Sequence, residues 1–114
     1  MAKTKKELAA LTCVPCRGGT PPMESEKINL MLDVIPGWKK SSGKIDKIEK
    51  LFKFKDFAEA MNFVNSVAEI AKEQDHHPDI FIQWNKVTLT LWTHAISGLF
   101  NNDFILAAKI DELQ

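Results

Sequence analysis

The chain has no surplus of either charge. Fifteen Lys plus Arg stand against fifteen Asp plus Glu in 114 residues, a net charge of zero with neutral His. Without a positive excess there is no global field to draw in a phosphate backbone, which argues against nucleic acid as a partner. Long apolar runs are missing too. The longest extend only a few residues, and the opening "MAKTKKELAALTC" has no stretch of the length a signal peptide or membrane span requires. The expectation is a soluble, cytoplasmic protein with no membrane partner. Cysteine is limited to Cys13 and Cys16, three positions apart in one loop, so no disulfide framework is implied and a reducing compartment keeps both as thiols. Histidine is limited to His76, His77 and His94. Repeats of the solenoid kind are absent.

What is present suffices for one core: 45% hydrophobic residues, with seven Phe and three Trp. "TCVPCRGGTPPM" is so dense in Gly and Pro that residues 12 to 23 are expected to be an irregular arm outside the core, after a short helical piece around residues 4 to 11. Ile28, Leu32 and Ile35 recur at helical spacing before Pro36-Gly37, which predicts a helix at about 24 to 34. Residues 38 to 54 read as a hairpin with a Ser-Ser-Gly turn and Ile48, Phe52 and Phe54 on one face. Its lysines are interrupted by Asp46 and Glu49, which favours a solvated strand face over a polyanion surface.

Asp56 then offers an N-cap for a central helix with two apolar stripes, one of Phe57, Met61, Val64, Ala68 and Ala71, the other of Phe63, Val67 and Ile70. One sheet does not need so wide a face, and contact with another subunit is the simplest use for the surplus. Past Pro78, "IFIQWNKVTLTLWTH" reads as two strands around an Asn85-Lys86 turn, with Val87, Leu89 and Leu91 inward and Thr88, Thr90, Trp92 and His94 outward. "NNDFILAAKIDELQ" ends the chain as a capped amphipathic helix. The order helix-β-β-helix-β-β-helix predicts an α+β fold, a two-layer sandwich of a four-stranded antiparallel sheet with helices on one face.

His76 and His77 stand where the central helix ends, and an imidazolium there interacts well with the helix dipole and free carbonyls. A helix stop would explain them alone. His94 changes the weighting: antiparallel pairing of the last two strands puts the start of one beside the end of the other, so all three histidines can converge. Zinc is the competing use of three imidazoles, but adjacent histidines point different ways and no HxH or HxxxH spacing exists. Acid/base chemistry fits better, because His changes charge between pH 5 and 8.

The string Lys72, three residues, His76-His77-Pro78, five residues, Trp84, nine residues, His94, eight residues, Asp103 resembles the pattern of the pterin-4a-carbinolamine dehydratase family. "FKFKDFAEAMNFV" and "PGW" are similar to that family's strand-to-helix junction and first-strand entry, so the likeness covers roughly residues 24 to 113. It divides the chain into an arm with CxxC, 1 to 23, and a dehydratase-like domain, 24 to 114. The resemblance implies dehydration of 4a-hydroxytetrahydrobiopterin to quinonoid dihydropterin in tetrahydrobiopterin recycling, beside an aromatic amino-acid hydroxylase and with neither metal nor organic cofactor. It implies His76 and His94 as acid and base, His77 as an orienting or binding group, and a pterin held by the chain around Asp75 to His77 and around Trp92, Thr93, His94 and Ala95. It implies supporting roles for Asp103 and for Lys72, which stands where animal relatives carry Glu, and a buried Trp84. It also implies a homodimer or homotetramer. The alternative it leaves open is a pterin-binding or assembly module, either linked to molybdopterin metabolism or acting as a dimerisation cofactor. Cys13 and Cys16 lack the second ligand pair of a zinc ribbon, which only a second subunit could supply.

Overall fold

The computed structural model describes residues 3 to 41 and 43 to 114. Its elements run α1 (Lys5–Ala9), α2 (Ser25–Val34), β1 (Lys39–Lys40), β2 (Ile48–Lys53), α3 (Phe57–Gln74), β3 (Asp79–Gln83), β4 (Lys86–Leu91), a 3-10 turn (His94–Ile96) and α4 (Asn101–Asp111). Ser42, in the expected Ser-Ser-Gly turn, lies outside the described residues. The four strands pair antiparallel in the order β1-β2-β4-β3, which is the α+β arrangement expected.

Helical period decides which side chains turn inward. In α2 these are Ile28 and Met31, with Ile35 just beyond the helix, whereas Leu32 is only partly buried. Helix α3 starts on Asp56, whose carboxylate accepts from the Glu59 N–H at 2.9 Å. Its buried stripe is Ala60, Phe63, Val64, Val67 and Ala71. The stripe expected from Phe57 is therefore displaced: Phe57 is 51% exposed and Ala68 is exposed as well. The helix ends on Asp75, in the left-handed region at φ 51°, and the His76 N–H bonds back to the Ala71 carbonyl at 3.2 Å.

Pairing register fixes the two sheet faces. Ile48 and Leu91, and Phe52 and Val87, lie opposite one another on the inner face, where Ile82 of β3 continues the Val87 row and Ile80 lies opposite Leu89. Lys50, opposite Leu89, is on the same inward side; its ammonium reaches the Asp111 carboxylate at 2.9 Å, and the Trp38 indole N–H donates to that carboxylate at 3.1 Å. Leu51, Thr88 and Phe81 form a row across the open outer face.

Three expectations need correction. The β3–β4 turn is Trp84-Asn85, one residue earlier than expected, because Gln83 pairs with Lys86. The Asn85 side-chain amide donates to the Phe54 carbonyl at 2.9 Å, which leaves Trp84 at the tip, 67% exposed instead of buried. Helix α4 is not amphipathic in the folded chain. Residues 102 to 108, 110 and 111 are all buried, because α4 packs against both α1 and α3. For the same reason α1 joins the core: Leu8 and Ala9 are buried in it, and the Lys109 ammonium ties to the Ala9 carbonyl at 2.7 Å. Among the described residues no helix is long and apolar enough to cross a membrane.

Candidate functional site

The left-handed exit of α3 and Pro78 aim the chain into β3, whose first residue, Asp79, lies opposite Thr90 near the end of β4. The end of α3 and the exit of β4 thus meet at one end of the sheet. Beyond Leu91 the chain passes Trp92 and Thr93, makes the 3-10 turn at His94, and returns through Gly98, whose carbonyl accepts from the Thr93 N–H at 2.8 Å. Between these segments lies an open cavity of about 650 Å³, within the size range of small-molecule sites. His76, His77 and His94 all line it, as do Asp75, Trp92, Thr93 and Ala95.

His76 is the most constrained of the three. Its side chain is 11% exposed, and Nε2 lies 2.6 Å from Asp103 Oδ1. Asp103 is wholly buried, and its other oxygen accepts from the Thr93 hydroxyl at 2.8 Å and from the Phe100 N–H at 3.0 Å. A carboxylate only accepts, so in the neutral form of the ring the proton is on Nε2 and Nδ1 carries the lone pair. Asp103 can take this position because it is the third residue of α4, where a carboxylate also satisfies a free N–H of the helix start.

His94 lies after β4, in the 3-10 turn, and is exposed. Its ring is stacked on Trp92 with centroids 3.8 Å apart and planes within 19°. The Trp92 indole N–H donates to Asp79 at 3.3 Å, and the Lys47 ammonium sits 4.6 Å from the indole centroid. Of the expected supporting residues Lys72 lies elsewhere, and Trp84 is no part of the cavity. Lys72 is exposed and does not line the cavity, whereas Glu73 and Gln74, the next residues around the helix, do. Trp84, at the far end of β3, is about 16 Å away along an extended strand.

Sequence reasoning missed one side of the cavity. Residues 13 to 16 line it. Asn102, 3% exposed, clamps the Val14 backbone from both sides, accepting from its N–H at 3.0 Å and donating to its carbonyl at 2.6 Å. The Gln74 amide oxygen accepts from the Cys13 N–H at 2.9 Å. Downstream, Arg17 and Thr20 close a turn, and the Met23 N–H bonds to the Leu99 carbonyl at 2.9 Å. Burial pushes the Cys13 thiol up to about 11, Asp103 adding to the effect and Lys109 opposing it. Cys13 is thus a neutral thiol at pH 7, a poor nucleophile and metal ligand. Among the described residues no three His, Cys, Asp or Glu side chains come together as a metal-holding group. The cavity lining carries Glu73 and Asp75 beside the histidines and contains no Lys or Arg.

Residues 21 to 113 match the family model described as Pterin 4 alpha carbinolamine dehydratase. A relative from Rubrobacter xylanophilus, assigned by name as a pterin-4-alpha-carbinolamine dehydratase, is 44% identical over 109 residues, covering 94% of this chain and 98% of the relative. One of the same assigned name from Halorhodospira halophila is 45% identical over 102 residues, covering 90% and 93%. Among solved structures, a transcriptional coactivator/pterin dehydratase from Brucella melitensis superposes with a TM-score of 0.77 at 35% identity, covering 81% of this chain and 97% of that one. A pterin dehydratase-like protein described as a RuBisCO assembly factor in the alpha-carboxysome gives a TM-score of 0.59 at 25% identity, over 68% of this chain and 89% of that one.

Proposed function

The chain belongs to the pterin-4-alpha-carbinolamine dehydratase family of hydro-lyases, and from that premise we propose that it removes water from 4a-hydroxytetrahydrobiopterin by histidine acid/base catalysis. The observation that carries this reading is the meeting of all three histidines at one cavity, with His76 held by the buried Asp103 carboxylate at 2.6 Å.

The elimination breaks the C4a–O and N5–H bonds, forms a C4a=N5 double bond and releases water. Electrons are conserved between substrate and products, so the step needs two proton transfers and no redox partner. His76 and His94 supply them, one protonating the departing hydroxyl and the other accepting the N5 proton, while His77 orients the ring. Polar backbone around Asp75 to His77 and around Trp92 to Ala95 pairs with the pterin's polar edge. Each proton transfer accounts for about 10²–10⁴-fold in rate. The test follows loss of the 4a-carbinolamine by ultraviolet absorbance with wild type, His76→Ala and His94→Ala. We expect acceleration by the wild type and losses of that size in folded variants; full activity in both variants rules the mechanism out. The carbinolamine is the product of a tetrahydropterin-dependent hydroxylation, so on this reading the chain acts beside an aromatic amino-acid hydroxylase in tetrahydrobiopterin recycling.

A second reading, self-association with an assembly role, is favoured by exposed apolar residues: Leu51 at 49% and Phe81 at 59% in one row of the open sheet face, and Phe57 at 51% on α3. Copies joined through these residues give the dimer or tetramer expected. Sedimentation of Phe81→Lys and Phe57→Lys separates the roles: a smaller particle that still dehydrates the carbinolamine assigns these residues to assembly. An unchanged particle size in both variants removes this reading.

A further inference from the structure

We propose that residues 13 to 16 form a specificity wall of the cavity, contacting the substituent on the pterin ring and admitting uncharged substituents over phosphorylated ones. The proposal rests on the pterin reading above. The family match begins at residue 21, yet these four residues, upstream of it, line the same cavity as the three histidines. The arm is built into the site. Asn102 holds both backbone polar groups of Val14, and Gln74 takes the Cys13 N–H, so an otherwise irregular segment has one position.

Its chemistry limits what it can contact. The N–H groups of Cys13 and Val14 are already bonded, and Pro15 has none. The wall therefore offers the Pro15 ring and the side chain of Val14, a residue 53% exposed, for van der Waals contact with a short uncharged chain, and Cys16 for a polar contact with a hydroxyl on it. The lining residues carry no guanidinium or ammonium, the Lys47 ammonium lying against the Trp92 ring, and an anionic substituent beside the arm would meet the Glu73 and Asp75 carboxylates. A phosphate monoester carries close to two negative charges above pH 7. The histidines pair with the ring, which leaves the arm for what the ring carries.

The test is binding at pH 7.5, read by quenching of the protein's tryptophan fluorescence, to which Trp92 in the lining contributes, so that it does not depend on turnover. Three stable oxidised pterins are compared: one unsubstituted at C6, one with an uncharged polyol at C6, and the phosphate monoester of that polyol. Wild type should bind the polyol form about tenfold more tightly than its phosphate. Val14→Lys, an exposed substitution that the fold tolerates, should narrow this ratio by about tenfold and leave the unsubstituted pterin within twofold. Asn102→Ala should weaken binding of the polyol form and spare the unsubstituted one. Equal changes for all three ligands, or none in either variant, overturn the wall. Protein that binds with the expected pattern but does not accelerate dehydration keeps the wall and removes the dehydratase. Protein that binds no pterin removes both.

Discussion

Replacing Asp103 with Asn tests the geometry at His76 with the least change of shape. In the wild type, Oδ2 accepts from the Thr93 hydroxyl and the Phe100 N–H, while Oδ1 faces His76 Nε2. An Asn in the same rotamer keeps its oxygen on the first two donors and turns its NH2 to the histidine. The NH2 donates, so Nε2 must become the acceptor and the proton moves to Nδ1. His76 then stays in place but presents an N–H to the cavity where it presented a lone pair. The negative charge that stabilises an imidazolium is also gone. Both losses fall on proton transfer, so the rate of carbinolamine dehydration should drop about 10²–10⁴-fold. In serine proteases, where an Asp-to-Asn change behind the catalytic histidine forces the same exchange of tautomer, the loss is about 10⁴. Exchanging a charge-assisted bond for a neutral one should cost about 1–2 kcal/mol of stability, a fall in Tm of about 4–10 °C for a domain near this size. Stopped-flow absorbance gives the rate and circular dichroism the Tm. Thr93→Val is the control, because it removes one donor and leaves the tautomer; its rate should fall by less than about tenfold. Asp103→Asn within threefold of the wild-type rate would refute the reasoning.

Three further outcomes follow from the same structure. Trp92→Leu removes the stack on His94 at 3.8 Å, worth about 0.5–1.5 kcal/mol, so dehydration should slow a few-fold to tenfold and Tm should fall by about 2–7 °C; a wild-type rate would mean that the stack does not position His94. Asp111→Ala strands the Trp38 indole N–H and the Lys50 ammonium, and should cost on the order of 3 kcal/mol in chemical denaturation while leaving kcat intact, since this cluster is remote from the cavity lining. Cys13 gives a pH signature. Its folded pKa of about 11 lies above the ordinary 9.0, so the folded state keeps the proton longer than the unfolded chain does. That contribution to stability is intact below pH 9 and is lost as pH rises from 9 to 11. Tm should fall through this window more steeply in wild type than in Cys13→Ala, and parallel curves would refute the assignment.

The helices and strands are legible in the sequence because their signals are local. Asp56 caps α3 as its position predicts, and Pro78 with the alternation of Val87, Leu89 and Leu91 is enough to place His76, His77 and His94 at one end of a hairpin. What misleads is polar residues whose partners are distant along the chain. Asn102 and Asp103 read as the cap of an amphipathic helix and Asp111 as part of its polar side, yet all are buried. Asn102 bonds to Val14, Asp103 to His76 and Asp111 to Trp38, across 88, 27 and 73 positions. Lys50 reads as one of a solvated set for the same reason. A spacing pattern reports which face a residue is on, but not whether another segment will cover that face. Helix α1 covers α4, and residues 13 to 16 cover one side of the cavity; neither carries a periodic signal of its own.

The moorings of the arm also say where this protein can change length. Val14 is fixed by Asn102, and Met23 by Leu99, so the intervening segment leaves and returns to nearly the same place. Its tip, with Gly19 at φ +94° and nothing within 4 Å of where a side chain would begin, is open to solvent. Adding residues there lengthens a loop whose ends are already held, and each doubling costs only about 0.6 kcal/mol of closure entropy. A side chain on Gly18 would begin 3.7 Å from the Ala95 carbonyl oxygen, so inserted residues would emerge beside the cavity mouth. Insertions at this tip are therefore a route to altered ligand selection that the folding equilibrium barely registers, and a natural place to graft a recognition segment.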